Sequence, residues 1–205
     1  VLITNNSAGN GGGIYLEGSM SPSIINCTIT GNIARSTSGG GIACNRTSHP
    51  VVFNSIFWYN SPSEIYLSAI ESDYSSITVN FSNISGGQNA ITMVEGTSVD
   101  WGNDNIDAAP AFVDTASGDY HLSNLSPAIS AGTDSIQISG TWYTAPTTDL
   151  DGYIRPNPAG TVPDMGAYES AMGVEAGYVG PVWYVDGPAG LPYGNGGPGA
   201  PFTTI

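Results

Sequence analysis

Three consecutive glycines followed by a short apolar strand occur twice in this chain. They read Gly11-Gly12-Gly13-Ile14-Tyr15-Leu16 and, 28 residues later, Gly39-Gly40-Gly41-Ile42-Ala43-Cys44. The stretch after each copy recurs too. Ile25-Asn26-Cys27-Thr28-Ile29 aligns with Val52-Phe53-Asn54-Ser55-Ile56 at an offset of 27, and Val79-Asn80-Phe81-Ser82-Asn83-Ile84 lies a further 27 residues on. Short strands and Gly/Asn turns repeating at this period predict a β-solenoid. No coil can bury its apolar face alone, so the coils must stack.

Stacking has consequences for particular residues. Alternation predicts Ile25, Cys27 and Ile29 inward, with Val52, Asn54 and Ile56 in the matching slots of the next coil and Val79, Phe81 and Asn83 in the third. Ile14, Ile42 and Ile65 form a second ladder. Asn32 and Asn60, 28 apart at strand ends, suit sharp corners, where Asn tolerates left-handed backbone and its amide can bond its counterpart one coil away. Helical periodicity is nearly absent; a short turn near Glu64 is the best candidate.

Charge narrows the function classes. Charged residues make up 10% of the 205 residues, against ~25% in ordinary soluble proteins. There is no lysine. The only arginines are Arg35, Arg46 and Arg155, against seventeen acidic residues and a net charge of -14. Such a surface repels phosphate backbones and anionic lipid, so neither nucleic acid nor a membrane surface is an expected partner; divalent cations are. No apolar run approaches the ~20 residues of a spanning helix, and Val1 stands inside a strand-turn pattern rather than a leader. Cys27 and Cys44 lie on different strands. Their spacing leaves a disulfide open, and two free, buried thiols are the favoured reading.

The chain divides into coils over residues 1–95, an irregular C-terminal capping region over 96–170, a small-residue linker over 171–182, and fresh strands over 183–205. Trp101 to Pro110 reads as loop, Tyr120-His121-Leu122 as a short strand, and residues 140–165 as largely irregular.

At this point the residues resemble a known family. Gly-Gly-Gly-Ile at 39–42, Asn54-Ser55-Ile56-Phe57-Trp58 and Ser82-Asn83-Ile84-Ser85-Gly86-Gly87 resemble secreted bacterial right-handed parallel β-helix repeat proteins. More specifically, an ordered series looks like the C-terminal part of the choice-of-anchor Q group of β-helix surface proteins. It runs through Asn105 to Asp114, Gly118-Asp119-Tyr120-His121-Leu122, Ser126-Pro127-Ala128-Ile129, Ala131-Gly132, Asp149-Leu150-Asp151-Gly152, Arg155-Pro156 and Asp164 to Glu169. The resemblance spans roughly residues 5–170. It implies extracellular export and display on a bacterial cell surface, usually within a longer chain, and brings no established enzymatic activity. Trp183-Tyr184-Val185-Asp186 and Pro201-Phe202-Thr203-Thr204-Ile205 resemble the opening of such a domain. Residues 183–205 therefore read either as the start of a next module or as a strand that docks on a neighbouring copy, with Trp183, Tyr184, Val185, Phe202 and Ile205 as assembly residues.

Parallel β-helices often carry polysaccharide lyases and hydrolases, and each chemistry makes its own demand on the residues. A lyase needs a base and neutralisation of a uronate; Arg35 and Arg46 read as solvated turn residues. A hydrolase needs clustered carboxylates with a nearby histidine; His49 and His121 read as structural, and Asp104 and Asp107 as loop carboxylates. The glycine runs lack the Gly-Lys-Ser/Thr ending of a phosphate cradle and read as turns. Asp149-Leu150-Asp151-Gly152 resembles half of a calcium loop, with hard oxygen ligands two residues apart and a glycine for the turn, but without the downstream bidentate Glu. Calcium held by Asp149 and Asp151 is the cofactor candidate. In the rival reading Arg155 pairs with Asp149, Asp151 or Asp164 and pins the irregular segment, Glu169 being a further structural residue. Trp58 and Tyr59, at a strand end, are the candidates for stacking on sugars.

The expectation is an all-β right-handed parallel β-helix acting as a non-catalytic structural or adhesive module, or as a filament subunit joined end to end to neighbouring copies or modules. A carbohydrate-active β-helix and a passive glycan-binding module, each with a polysaccharide partner, stay open beside it.

Overall fold

The glycine triplets are where neighbouring coils approach most closely. The Gly13 amide donates to the Gly40 carbonyl at 2.8 Å and the Ile14 amide to the Gly41 carbonyl at 3.0 Å. A Cβ on Gly13 would stand 2.8 Å from the Gly41 carbonyl oxygen, so only a residue without a side chain lets these backbones pair. The next strands continue in parallel, with Ile14 opposite Ile42 and Ile42 opposite Ile65. The computed structural model describes residues 1–36 and 38–172. Over them the chain winds into stacked coils whose strands form three parallel four-stranded sheets.

Sheet one stacks Leu2–Thr4, Thr28–Thr30, Ile56–Trp58 and Asn83–Ile84. Sheet two stacks Ile14–Glu17, Ile42–Asn45, Ile65–Leu67 and Thr92–Met93. Sheet three stacks Ser23–Ile25, Val51–Phe53, Ser76–Asn80 and Ser98–Trp101. Each sheet sends an apolar column inward: Ile3-Ile29-Phe57-Ile84, Ile14-Ile42-Ile65 beside Leu16-Cys44-Leu67, and Ile24-Val52-Val79-Trp101. These columns are the solenoid core, and each fully buried aliphatic side chain contributes about 1.5–3 kcal/mol.

The register corrects one expected alignment. Ile24, not Ile25, lies opposite Val52, and Thr28, not Ile29, opposite Ile56. The step from Ile24 to Val52 and from Thr28 to Ile56 is 28 residues, and the step that follows, from Val52 to Val79 and from Ile56 to Asn83, is 27. A one-residue slip exchanges inside for outside. Ile25 is therefore only half-buried, and Ile56 and Asn83 turn away from the core. Asn26 rather than Cys27 is the counterpart of Asn54: both occupy left-handed backbone at a corner, with φ of 47° and 51°, and Phe81 follows at 46°. Cys27 and Cys44 are free and buried, and burial pushes the Cys44 thiol up to about 12.

Two of the corners are closed by polar ladders. At the first, the Cys27 amide donates to Ser55 Oγ at 3.1 Å, the Ser55 amide to Ser82 Oγ at 3.1 Å, and the Ser82 amide to Asn105 Oδ1 at 3.0 Å. At the second, the Asn6 amide donates to Asn32 Oδ1 at 3.0 Å and the Asn32 amide to Asn60 Oδ1 at 2.9 Å. The Asn60 amide then donates to Glu64 Oε1 at 3.2 Å, and Asn60 Nδ2 donates to Glu64 Oε2. Glu64 thus ends the asparagine ladder with a carboxyl group only 6% exposed. No helical turn forms there; the single one among the described residues is a 3-10 turn at Gln88–Ala90.

The stack continues past residue 95. Ser98–Trp101 pairs with Ser76–Asn80 and Ile106 bridges to Asn83, so the segment expected as loop from Trp101 is partly a further rung. The C-terminal region also differs from an irregular cap. It contains two hairpins, Phe112–Asp114 with Asp119–Leu122 and Ser135–Ile138 with Thr141–Thr144, and lies along the side of the stack as a strap. Leu122, Ala128 and Met165 cover the outward face of Ile56. Asn54 exchanges side-chain hydrogen bonds with the Thr133 backbone at 2.8 and 3.0 Å, and Asn26 Nδ2 donates to the Asp164 carbonyl at 2.9 Å. Gly132 is required at this seam, because a Cβ there would sit 2.8 Å from Asn54 Oδ1.

Burial pushes the Glu64 carboxyl up from its ordinary 4.5 to about 7, against the opposing pull of the Asn60 donors. A folded pKa above the unfolded one means that this contribution to stability is complete below about pH 4.5 and lost as pH rises through 7. The melting temperature should therefore fall between pH 4.5 and 7.5, and Glu64→Gln should flatten part of that slope. A slope unchanged by the substitution would count against the ladder-end role.

Candidate functional site

The densest group of ionisable side chains lies where the strap closes on the stack. Arg155 is 5% exposed, Asp164 0% and Glu169 7%. Arg155 Nη1 contacts Glu169 Oε2 at 3.1 Å and donates to the Asp164 carbonyl at 2.9 Å, while Nη2 donates to the Gly166 carbonyl at 3.3 Å. The partner of Arg155 is thus Glu169, not the carboxylate of Asp149, Asp151 or Asp164. The reason is local geometry: the side chains of Asp149 and Asp164 are already taken by main-chain donors. Asp164 Oδ1 accepts the Ser130 amide and Oδ2 the Ser170 amide, both at 2.7 Å. Glu169 also accepts the Asn157 amide at 3.1 Å. Burial, with repulsion from Glu169 behind it, pushes Asp164 up to about 7; burial also raises Glu169, with Arg155 opposing.

The donor set at Asp149 does not fit calcium. Asp149 Oδ1 accepts the Asp151 amide at 3.0 Å and the Tyr153 amide at 2.8 Å, and Oδ2 accepts the Glu169 amide at 3.0 Å. A carboxylate facing three N–H groups is bracing a turn, not presenting lone pairs to a cation. The Asp151 carboxylate faces a different way and meets His121 Nε2 at 2.8 Å. No group of three metal-ligating side chains occurs among the described residues. The half-loop reading is replaced by two bracing roles, one inside and one at the surface.

The surface role belongs to His121. Its Nδ1 lies 2.6 Å from Asp119 Oδ1 and its Nε2 2.8 Å from Asp151 Oδ2, and its ring stacks on Tyr168 at 4.0 Å. Asp119 and His121 share a strand face because they are two apart, a pairing the sequence carries; the approach of Asp151 is a product of the fold. Burial acts to lower the His121 pKa, but its two carboxylate partners outweigh that and hold it above 6.5.

The remaining predicted residues are dispersed. Trp58 is half-buried, packed against the Ile56 cluster and set edge-on to Tyr59 at 6.1 Å. Only Tyr59 presents an open ring, at 67% exposure, so these two form no flat sugar platform. Asn32 and Asn60 are both buried in the corner ladder, linked through Asn32 Nδ2 and Asn60 Oδ1 at 2.9 Å. Arg46 makes an exposed 3.5 Å pair with Glu17, and His49 meets Ser76 Oγ at 2.8 Å. Trp183, Tyr184, Val185, Phe202 and Ile205 lie outside the described residues. Two features escaped sequence reasoning: the Glu64 ladder end, and an outward row on sheet two that sets Tyr15 and Tyr66 on either side of Ala43. Alternation within each strand is the signal that places both tyrosines on that face.

A cleft of about 390 Å³ opens beside Arg155, with Asp149, Pro146, Leu150 and Ile25 in its wall. Two guanidinium nitrogens of Arg155 are engaged within the protein, and the neighbouring carboxylates outnumber it. Chemically the cluster is a charge brace. Removing the guanidinium strands Glu169 beside Asp164, so Arg155→Met should cost about 3–5 kcal/mol in urea unfolding at pH 7.5, and less at pH 5, where the carboxyls take up protons. A cost below ~1 kcal/mol would show that the pair behaves as a solvated one.

No curated protein and no solved structure matches the chain. The family model for the right handed beta helix region matches residues 1–124, more than half of the 205 residues and a segment that includes all the coils. With that match and the stacked parallel sheets, the chain belongs to the right-handed β-helix family.

Proposed function

We propose that this chain is a non-catalytic structural or adhesive module of a large extracellular bacterial surface protein, or a subunit of a surface filament, joined end to end through residues 183–205. The observation that carries this reading is the stack itself: three parallel four-stranded sheets, paired rung to rung through the backbone, make a stiff column with a long lateral surface. The buried ionic groups support the same reading, because Arg155, Asp164, Glu169 and Glu64 all hold backbone in place. The ordered motifs between Asn105 and Glu169 support a place in the choice-of-anchor Q group. Deleting 183–205 should abolish end-to-end association in sedimentation velocity while leaving the β-rich circular dichroism spectrum intact. Association that survives the deletion would refute joining through these residues.

A second reading, passive glycan binding, has one observation in its favour. Tyr15 and Tyr66 stand two rungs apart on the outer face of sheet two, ~9.6 Å at a strand spacing of ~4.8 Å, with small Ala43 between them and Asn45 donating to the Tyr15 hydroxyl at 2.7 Å. Rings so placed can stack on two sugars of an extended chain. Glycan-array binding that is lost in Tyr66→Ala would favour it, and an array on which the intact chain binds nothing would remove it. The same panel, assayed for new reducing ends or unsaturated uronates, tests the lyase or hydrolase alternative.

A further inference from the structure

We propose that His121 is a proton-operated clasp that fastens loop 149–154 to the strand Asp119–Leu122 and so tightens the strap in acid. The argument rests on the count of ring protons. Both imidazole nitrogens face carboxylate oxygens, Asp119 Oδ1 on one side and Asp151 Oδ2 on the other. A neutral imidazole has a single N–H, so one nitrogen would then present a lone pair to an anion; only the imidazolium donates to both. The ring face rests on Tyr168, an arrangement that also favours the cation.

The two contacts respond differently when the proton leaves. Asp119 is two residues from His121, and its Oδ1 also accepts the His121 main-chain amide at 3.0 Å, so the hairpin itself keeps that pair together. Asp151 is 30 residues away in sequence and has no such tie to the hairpin. Deprotonation therefore parts His121 from Asp151. The loop behind Asp151 is built on Asp149, which accepts the amides of Asp151, Tyr153 and Glu169. Loss of the clasp thus reaches the segment that carries the partner of Arg155. The ionisable groups facing His121 are Asp119, Asp151 and Tyr168, with Asp149 adding its charge around Tyr168. Asp119 and Asp151 both favour the protonated ring.

The test joins two measurements on the full chain, with wild type and Asp151→Asn compared. His121 ring nitrogens are titrated by NMR from pH 5.5 to 8.5. Over the same range the exchange protection of the Tyr153 and Glu169 amides is followed, corrected for the intrinsic pH dependence of exchange. In the wild type His121 should titrate above its ordinary value with both ring nitrogens protonated at the acid end, and protection should drop roughly two- to fivefold across that titration, the range of an exposed ion pair. In Asp151→Asn, a substitution at an exposed side chain, the His121 titration should move down and the step in protection should vanish. The clasp is overturned if wild-type His121 titrates at or below its ordinary value, or if the step persists unchanged in Asp151→Asn.

Discussion

In a parallel stack, every coil must turn corners inside its own layer, and some main-chain amides at those corners find no backbone partner. Left buried and unpaired, each would cost about 1–3 kcal/mol. The protein meets this constraint with side chains drawn from the adjacent rung. The Cys27, Ser55 and Ser82 amides are each received by an oxygen one coil on, and the Asn6 and Asn32 amides likewise, while the Asn60 amide is received by Glu64 within its own coil. Register, core columns and the outward faces all depend on these ladders, because a side chain of fixed length can reach its amide from one alignment only.

The strap solves a different problem. With Phe57 in the core column, strand alternation turns Ile56 outward, where an uncovered isoleucine would face water beside Trp58. Leu122, Ala128 and Met165 cover it, and irregular backbone is thereby brought into a buried setting. That backbone needs its own partners, which is why the few charged groups of a charge-poor chain gather here. Arg155 donates to the carbonyls of Asp164 and Gly166, while the carboxylates of Asp149, Asp164 and Glu169 accept amides. The ionic cluster follows from covering an apolar face with loops, and it requires no ligand to explain it.

Much of this was legible from the sequence, for a physical reason. Glycine triplets mark backbone contact between coils, so they place Ile14 opposite Ile42, while Ile65, which has no triplet before it, was legible from the recurring Ile-Tyr-Leu of 14–16 and 65–67. Ile25 was misplaced because the apolar residues at 24 and 25 fit either face, and only the Asn26–Asn54 corner decides between them. The strap was less readable. Nothing in the composition of residues 96–170 distinguishes a cap over an end from a brace along a side. Asp149 looked like a calcium ligand because short-range spacing suits a cation and an Asx-type turn equally; the three amides that occupy it come partly from 20 residues away. Asp119 and His121 were within reach by strand alternation, whereas Asp151 and Glu169 meet their partners only through the closed strap.

The Asn26 and Asn54 seam has a mechanical implication. Stacked repeats ordinarily fail one at a time, since each holds only its neighbours. Here two successive rungs are stitched by their corner side chains to one and the same lateral segment, at Asp164 and Thr133. A coil peeling from the end would have to tear that seam before the next could follow. The strap therefore works as a selvedge, turning a column that could fray into a fabric that gives way as a piece.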